Sequence, residues 1–313
     1  MKEDKSLVDW IGEYLAYRRN LGFRLGGEEG ELRRFARHVE AAGHRGPLTA
    51  GISFSWVQLA GSANHQHRRF ETVHSFVKYV AIFEPETQIP PRALLKVKCR
   101  RPEPYIYSDE EITALLRTCD ELSPKEGLRP RTYKSLFGLL AATGLRVSEA
   151  LHLNRIDVDL DRGVLTVRET KFRKSRFVPV HTSTREALRR YVVFRDAYHP
   201  FPQSDTFFVS ESGSALPYST VNGVFQQLRR ELGWNCGRRR LPRIHDMRHT
   251  FTCRCLLRWY EEGADVDHVI PFLSTYLGHC KVTDTYWYLT GIPELMATTA
   301  RRFEQFVCEE ESP

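Results

Sequence analysis

A proline-rich, basic segment divides this chain into two unequal parts. Between residues 84 and 107 prolines alternate with lysines and arginines, namely prolines 85, 90, 91, 102 and 104 and residues Arg92, Lys96, Lys98, Arg100 and Arg101. Proline fixes φ and lacks a backbone N–H, so this density favours an extended connection over a helix. The 313 residues are ample for two domains. We therefore predict two domains joined by a linker at 84–104.

The part before the linker shows apolar residues at helical spacing. Leu7, Trp10, Ile11 and Tyr14 form one stripe, and further stripes lie within 32–39, 54–59 and 70–80. Ser6 with Asp9 three residues later has the pattern of a capping box. Residues 1–83 are therefore predicted to form a small helical bundle.

The part after the linker is mainly helical, with one stretch of period two. Ser108 to Glu111 is a capping box, and a helix over 133–142 is predicted to end at Gly144. Alternation from Ile156, a turn at 161–163 and apolar residues at 164–167 and 176–180 predict three antiparallel strands. Helices are predicted at about 183–195, with a capping box from Ser183 to Glu186, and then at about 219–232, 245–260, 265–276, 282–288 and 294–308. The fold class is therefore mainly α with a small antiparallel β-sheet, followed by an acidic tail at 309–313.

Charge indicates the kind of partner. The net charge is +7 and the sequence pI is near 9.0, which favours a polyanion and nucleic acid first. The excess is concentrated in 229–258, where nine arginines face only Glu231 and Asp246: Arg229, Arg230, Arg238, Arg239, Arg240, Arg243, Arg248, Arg254 and Arg258. No run of about 18 apolar residues predicts a membrane helix. The start, Met1-Lys2-Glu3-Asp4-Lys5, has no apolar signal-peptide core, so a cytoplasmic location is expected.

The cysteines do not indicate a disulfide framework or a metal site. Seven cysteines are an odd and scattered set, which fits a reducing compartment. Cys253, Cys255 and Cys280 lie in the same region of the sequence as His245 and His249, but their spacing matches no common zinc pattern. We predict no metal.

Tyr288 is a candidate nucleophile, provided that cations surround it. A tyrosine hydroxyl has a pKa of about 10 and attacks well only where neighbouring cations stabilise the phenolate and hold the electrophile. Candidate cations are Arg146, Lys171, Arg248 and His279, with His245 sharing a helix face with Arg248. Arginines can grip phosphate oxygens, a lysine can protonate an alkoxide leaving group, and histidines can move protons.

Each of these residues also has a plainer interpretation. The aromatic run Tyr286-Trp287-Tyr288 could be a packing cluster, Arg146 with Glu149 a salt bridge at a helix end, and Lys171 a solvated turn residue. Taken together, the tyrosine, arginines, lysine and histidines favour a phosphodiester site. Neither a P-loop nor a carboxylate cluster for two metals accompanies them.

In this combination the chain resembles the tyrosine recombinases, the phage-integrase family of site-specific DNA strand-exchange enzymes. The matching stretches are TGLRVSE at 143–149, Lys171 before RFVPV at 176–180, HDMRH at 245–249, and YLGH at 276–279 followed by Tyr288. The helical bundle resembles, less specifically, the family's core-binding domain, which would complete a clamp around DNA.

The resemblance implies roles for six residues. Arg146, Lys171, His245, Arg248 and His279 would activate the phosphate, and Tyr288 would attack it to form a 3′-phosphotyrosyl bond. Lys171 would be the general acid and His245 the proton acceptor. No cofactor is implied, and the partner would be double-stranded DNA carrying recombination sites, in a bacterial nucleoid. Exchange would need a tetramer, with 294–308 docking on a neighbour unless it packs on its own domain.

Several alternatives remain open. Thr170 and Phe172 stand where the family usually has glycines, so Lys174 rivals Lys171, and Tyr286 rivals Tyr288. The stretch between Arg248 and His279 is somewhat long for the family, which leaves the position of the His279 loop open.

Predicted DNA contacts are Arg68, Arg69, Lys96, Lys98, Arg238, Arg239, Arg240 and Arg243. The function would be integration or transposition of a mobile element; the competing functions are a catalytically silent DNA-binding accessory protein and a type IB topoisomerase.

Overall fold

Helices dominate both parts of the chain. The computed structural model describes residues 5–23, 25–95, 104–168, 175–201, 203–237 and 240–290. The chain divides into two compact units, Met1–Pro102 and Glu103–Pro313. Across the described residues the elements are helices apart from one three-stranded antiparallel sheet. The predicted fold class is therefore confirmed.

The described part of the first unit contains four α-helices: α1 (Leu7–Asn20), α2 (Gly26–Ala41), α3 (Ala50–Gln58) and α4 (Ala63–Val80). Ser6 accepts a hydrogen bond from the backbone of Asp9, whose side chain accepts one from the backbone of Ser6, which confirms the capping box. The apolar stripes meet in a core whose most buried members include Leu32, Phe35, Phe76 and Val77.

The segment that follows α4 packs against this unit, although the sequence predicted a linker from residue 84. The Trp10 indole donates to Glu84 at 2.9 Å, and the Gln88 backbone N–H donates to the Leu48 carbonyl at 2.7 Å. His74 Nδ1 donates to the Pro90 carbonyl at 3.0 Å. The prolines disfavour an α-helix here, and the segment forms only a 3-10 turn at Arg92–Leu94, but the polar groups around the prolines find partners on the bundle. Lys96 and Lys98 lie outside the described residues.

The described part of the second unit contains eight α-helices. They are α5 (Asp109–Thr118), α6 (Leu128–Thr143), α7 (Val147–Leu151), α8 (Thr182–Tyr198), α9 (Tyr218–Glu231), α10 (Asp246–Glu261), α11 (Val266–Leu277) and α12 (Thr283–Thr290). The capping box of Ser108 with Glu111 is confirmed at the start of α5. The predicted helix at 294–308 lies outside the described residues.

Three short strands form the sheet in the order β1 (Val158–Asp159), β2 (Val164–Val167) and β3 (Arg176–Pro179). Val167 pairs with Arg176 and Leu165 with Val178. Leu165, Val167 and Val178 point into the core.

Helix α6 begins at Leu128, five residues before its predicted start. Two further boundaries are wrong for a local reason. The first strand was expected from Ile156, but Arg155–Asp157 is a 3-10 turn that leaves Ile156 84% exposed. The Asp157 carboxylate accepts from the backbone of Asn154 and so closes that turn. Helix α8 begins at Thr182 instead of after Ser183, because the His181 side chain accepts from the backbone N–H of Ser183 and caps the helix.

The second unit has a large core and a smaller cluster beside it. The smaller cluster consists of Cys253, Leu256, Val266, Ile270, Leu273, Leu277 and Tyr288. It joins α10, α11 and α12, and so places the end of α11 and the aromatic side of α12 next to the start of α10.

Candidate active site

Gly144 makes the turn that presents Arg146. It has φ +61°, in the left-handed region, and a Cβ there would lie 2.6 Å from the ring of Phe251. Both the backbone angle and the packing therefore require glycine. Arg146 follows at the N-terminal end of α7, where its Nη1 donates to Glu149 at 2.7 Å and its backbone N–H donates to the same carboxylate at 2.9 Å. Glu149 thus holds both the backbone and the guanidinium of Arg146, and the Arg146 side chain remains partly exposed.

The C-terminal end of α11 collects three arginines on three successive carbonyls. Tyr276 O accepts from Arg176 Nε at 2.6 Å, Leu277 O from Arg248 Nη2 at 2.5 Å, and Gly278 O from Arg146 Nη2 at 3.1 Å. The last carbonyls of a helix lack partners within the helix and carry its partial negative charge. Cations are therefore stabilised here, and the turn gathers arginines from three distant parts of the chain.

Arg248 lies deepest of the three. It is 2% exposed, and its Nη1 donates to the Gly144 carbonyl at 2.9 Å. Burial and the nearby charge of Arg146 lower the pKa of Arg248 to about 10, which still leaves it positive at neutral pH. Two positive side chains are thus held side by side, as binding of a phosphate dianion or diester requires.

Glu149 neutralises part of this charge. Burial opposes its ionisation, but the hydrogen bonds and charge of Arg176, together with those of Arg146, outweigh burial and hold the pKa of the carboxyl below its usual range. Glu149 therefore stays ionised and holds two of the three arginines.

His279 follows directly after the arginine-bearing turn. Gly278 has φ +68° and bonds back to Thr275, while the His279 backbone N–H donates to Ser274 O at 2.9 Å. The His279 ring lies with Nδ1 2.7 Å from Thr285 Oγ1 on α12. The imidazole is thereby held between α11 and α12.

Two histidines lie at the start of α10. The pKa of His245 is lowered to about 4, first because protein atoms surround it and then because Arg248 and Arg243 are close, although its side chain still reaches solvent. It is therefore neutral at neutral pH and can accept a proton. His249 lies one turn later, with the two ring centroids 4.8 Å apart.

The two candidate tyrosines differ in environment. Tyr288 is 1% exposed, and its hydroxyl lies 2.8 Å from His249 Nδ1. Tyr286 is 38% exposed and donates to Asp267 at 3.1 Å, a bond that raises the pKa of its hydroxyl. Tyr286 was expected to be a packing residue, and instead it faces solvent. Only Tyr288 points toward the histidines of α10.

The other predicted site residues are distributed unevenly. Lys171, Lys174, Arg238 and Arg239 lie outside the described residues. Arg240 and Arg243 flank the buried Asp246, at 3.7 Å and 2.9 Å. Arg68 is exposed on α4.

Arg69 does not face an external ligand. Its guanidinium lies 4.0 Å from the ring centroid of Trp56, donates to the Trp56 carbonyl and pairs with Glu31 at 3.3 Å. This placement inside the bundle does not offer it to a phosphate, in contrast to the sequence prediction. Among the described residues no group of three or more His, Cys, Asp or Glu side chains could hold a metal ion, and none of the described helices is long and apolar enough to cross a membrane.

Sequence reasoning assigned no role to Arg176 or to the contact of His249 with Tyr288. Arg176 was treated only as part of a strand, and His249 only as part of a motif. The partners of Arg176 lie 27 and 100 residues away, and Tyr288 lies 39 residues from His249. An arginine within an otherwise apolar strand is the one sequence signal that pointed to a buried charge pair.

Residues 106–291 match the model of the phage integrase family. A putative integrase/recombinase of Sinorhizobium fredii, y4rB, is 42% identical over 302 residues, which cover 94% of this chain and 96% of that protein. The tyrosine recombinase XerD of Caulobacter vibrioides is 30% identical over 71% of this chain and 68% of that protein.

Solved structures agree in fold. The Tn1549 transposon integrase, in complex with transposon right end DNA, superimposes with a TM-score of 0.70 at 18% identity and covers 97% of this chain and 100% of that one. The XerH site-specific recombinase, bound to a palindromic difH substrate, gives a TM-score of 0.66 at 15% identity and covers 96% of this chain and 98% of that one. The chain belongs to the phage integrase family, the tyrosine recombinases, and the predicted class of DNA strand transferase is confirmed.

Proposed function

We propose that this chain is an active site-specific recombinase that cleaves and rejoins DNA through Tyr288. The observation that carries the proposal is the convergence of Arg146 and Arg248 on adjacent carbonyls of the turn that leads to His279. Their guanidinia can bind the non-bridging oxygens of one phosphodiester. Tyr288 lies on the next helix, with its hydroxyl against His249.

The proposed step conserves the energy of the phosphodiester. The Tyr288 oxygen attacks phosphorus and gives its proton to a histidine of α10, with His245 as the expected acceptor. The bond from phosphorus to the 5′-oxygen breaks, and Lys171 donates a proton to that oxygen; Lys174 is the alternative donor. A 3′-phosphotyrosyl bond and a free 5′-hydroxyl result. A 5′-hydroxyl from a partner duplex reverses the step, so no cofactor is required.

The proposed partner is double-stranded DNA, bound by basic side chains of both units. Arg68, Lys96, Lys98, Arg238, Arg239, Arg240 and Arg243 are the candidate phosphate contacts. We propose that four copies act on two sites and that residues 294–308 join neighbours. A role in transposition or integration of a mobile element, within a bacterial cytoplasm and nucleoid, is supported by the likeness to y4rB and to the Tn1549 transposon integrase.

A nicked duplex tests the covalent step. Duplexes that bind the Tyr288→Phe chain are selected from a random-sequence pool, and a nick is then moved stepwise through the selected sequence. Cleavage beside the nick releases a short fragment, so that a wild-type protein–DNA adduct accumulates. We expect an adduct with the wild type and with Tyr286→Phe, and none with Tyr288→Phe, which still binds DNA.

The outcomes separate the competing functions. An adduct that persists in Tyr288→Phe and disappears in Tyr286→Phe would contradict the assignment of the nucleophile. DNA binding without any adduct would favour a silent accessory protein. Relaxation of a supercoiled plasmid by a monomer, without strand exchange, would favour a type IB topoisomerase.

A further inference from the structure

We propose that Arg176 is a positioning residue for strand cleavage, which acts on the reacting phosphate only through Glu149 and the turn before His279. The inference rests on the proposed function. Arg176 opens β3, five residues after Lys171 in the sequence, and pairs with Val167 across the sheet. Arg176 therefore links β3, the strand that follows the proposed general acid in the sequence, to Glu149 and to the turn before His279.

The contacts of Arg176 engage both sides of its guanidinium. Nη1 and Nη2 donate to the two oxygens of Glu149 at 3.1 Å and 2.9 Å, and Nε donates to Tyr276 O at 2.6 Å. This is a bidentate carboxylate contact combined with a carbonyl contact, and the planar fork of arginine matches it. The lysine ammonium group is a single centre without a planar fork, so it cannot bind the Glu149 carboxylate and the Tyr276 carbonyl together in this geometry.

Burial makes the arrangement rigid. The Arg176 side chain is 10% exposed and that of Glu149 is 6% exposed. A buried carboxylate and guanidinium with matched hydrogen bonds cannot shift without leaving a charge unpaired. Glu149 in turn holds both the backbone and the guanidinium of Arg146. The orientation of Arg146 therefore depends on Arg176.

Arg176 also fits tightly against the turn that leads to His279. A Cβ built on Gly278 would lie 2.7 Å from Arg176 Nη1. The guanidinium thus occupies the space beside Gly278 and holds the Tyr276 carbonyl, two residues before it. His279 is the next residue, so a displaced Arg176 would move this imidazole as well.

Arg176 differs from the proposed phosphate-binding arginines in its partners. Both of its terminal nitrogens donate to a carboxylate that neutralises the charge, whereas the described hydrogen bonds of Arg248 go to two carbonyl oxygens. Arg146 is 30% exposed in its side chain and keeps access to a ligand. The guanidinium of Arg176 therefore organises the site without binding the phosphate.

The test is Arg176→Lys, measured on the nicked duplex described above. At saturating protein, we expect the first-order rate of adduct formation to fall about 10- to 100-fold, because small misplacements of catalytic groups have effects of this size. The dissociation constant for DNA is expected to stay within about threefold, since Arg176 does not contact the backbone. The matched control is Arg189→Lys, because Arg189 likewise joins a carbonyl, Leu160 O, to a carboxylate, Asp161, on the far side of the sheet.

A rate within about twofold of the wild type would overturn the proposal, as would a loss of rate matched by equal losses of DNA affinity and thermal stability. If Arg176→Lys does not fold, the double variant Arg176→Gln with Glu149→Gln removes both buried charges together. A folded double variant that cleaves at the wild-type rate overturns the proposal. A double variant that also fails to fold makes Arg176 a folding residue only, which overturns it equally.

Amide exchange gives a readout that does not depend on activity. We expect Arg176→Lys to reduce the protection of the Gly278 and His279 amides by about tenfold or more, and Arg189→Lys to leave it unchanged. Unchanged protection in Arg176→Lys would overturn the inference. If the wild type forms no adduct on any duplex, the proposed function fails, and amide exchange still decides whether Arg176 holds the turn.

Discussion

The same kind of side chain serves opposite purposes at neighbouring positions of this chain. Tyr286 and Tyr288 are two residues apart, yet one faces solvent and donates to Asp267, and the other is buried against His249. Arg68 and Arg69 are adjacent, yet one is exposed and the other is buried over Trp56. Residue type and motif select candidate side chains, whereas only the fold shows which way each one points.

Sequence reasoning reached Arg146, His245, Arg248, His279 and Tyr288 because a recognised pattern joins them. It did not reach Arg176 or the His249 contact, because those interactions join residues distant in sequence and follow no periodicity. The catalytic roles of Arg146, His245, Arg248, His279 and Tyr288 stay predictions, as do the role and the placement of Lys171.

Gly278 offers a prediction at the scale of one residue. Gly278 and Gly233 both have φ +68°, but a Cβ at Gly233 meets nothing within 4 Å, whereas one at Gly278 meets Arg176. Gly233→Ala should lower the free energy of unfolding by about 1–2 kcal/mol, the cost of the left-handed conformation. Gly278→Ala should lower it further and also slow adduct formation. The measurements are denaturant unfolding and the nicked-duplex assay, and equal effects of the two substitutions would contradict the packing argument.

Helices and strands were predicted well where apolar spacing and caps agree. The capping boxes at Ser6 and Ser108 and the helix end at Gly144 are confirmed. Ile156 was assigned to a strand because it is apolar, but a 3-10 turn exposes it. The start of α8 was misplaced because a histidine, rather than a serine, caps the helix. Local side-chain hydrogen bonds decided both boundaries, and apolar periodicity does not report them.

The start of α10 offers a prediction at the scale of an element. Asp246 is fully buried and accepts from the backbone, Nε and Nη2 of Arg243. Asp246→Ala would leave these donors without a carboxylate at the first turn of the helix that carries Arg248. We expect a loss of about 2–4 kcal/mol in unfolding free energy, moderated because Arg243 is half-exposed. Asp120→Ala is the control, since its pair with Lys134 is about half-exposed on both sides, and its cost should stay below about 1 kcal/mol. Similar losses in chemical denaturation would contradict the prediction.

At the scale of the whole molecule, composition predicted a nucleic-acid partner, which stays a prediction, and a chain of two parts; the structure divides into the units Met1–Pro102 and Glu103–Pro313. Composition did not predict where the connection begins, because residues 84–92 look like a free linker in sequence and yet hydrogen-bond to the bundle. Proline density reports what the backbone cannot form, and it does not report what the segment packs against.

The basic surface offers a prediction at this scale. Arg68→Ala should weaken DNA binding and reduce the magnitude of the slope of log K against log salt by about 0.9, the value for one phosphate contact. Its effect on thermal stability should be small. Arg69→Ala should instead lower stability, because it removes the cation from Trp56 and Glu31. Binding titrations across salt concentrations and thermal unfolding of both variants check this, and an unchanged salt slope in Arg68→Ala would exclude it as a phosphate contact.

The three arginines bound at the end of α11 make that part of the chain sensitive to insertions. Each guanidinium is matched to one carbonyl in sequence, so an insertion of one residue between Ser274 and Tyr276 would place the wrong carbonyl opposite every arginine. An insertion at 262–264, between α10 and α11, would leave that match untouched. The stretch between Arg248 and His279 can therefore be long without displacing His279. The contacts at the end of α11 set the position of His279, and the length of the loop before that helix does not.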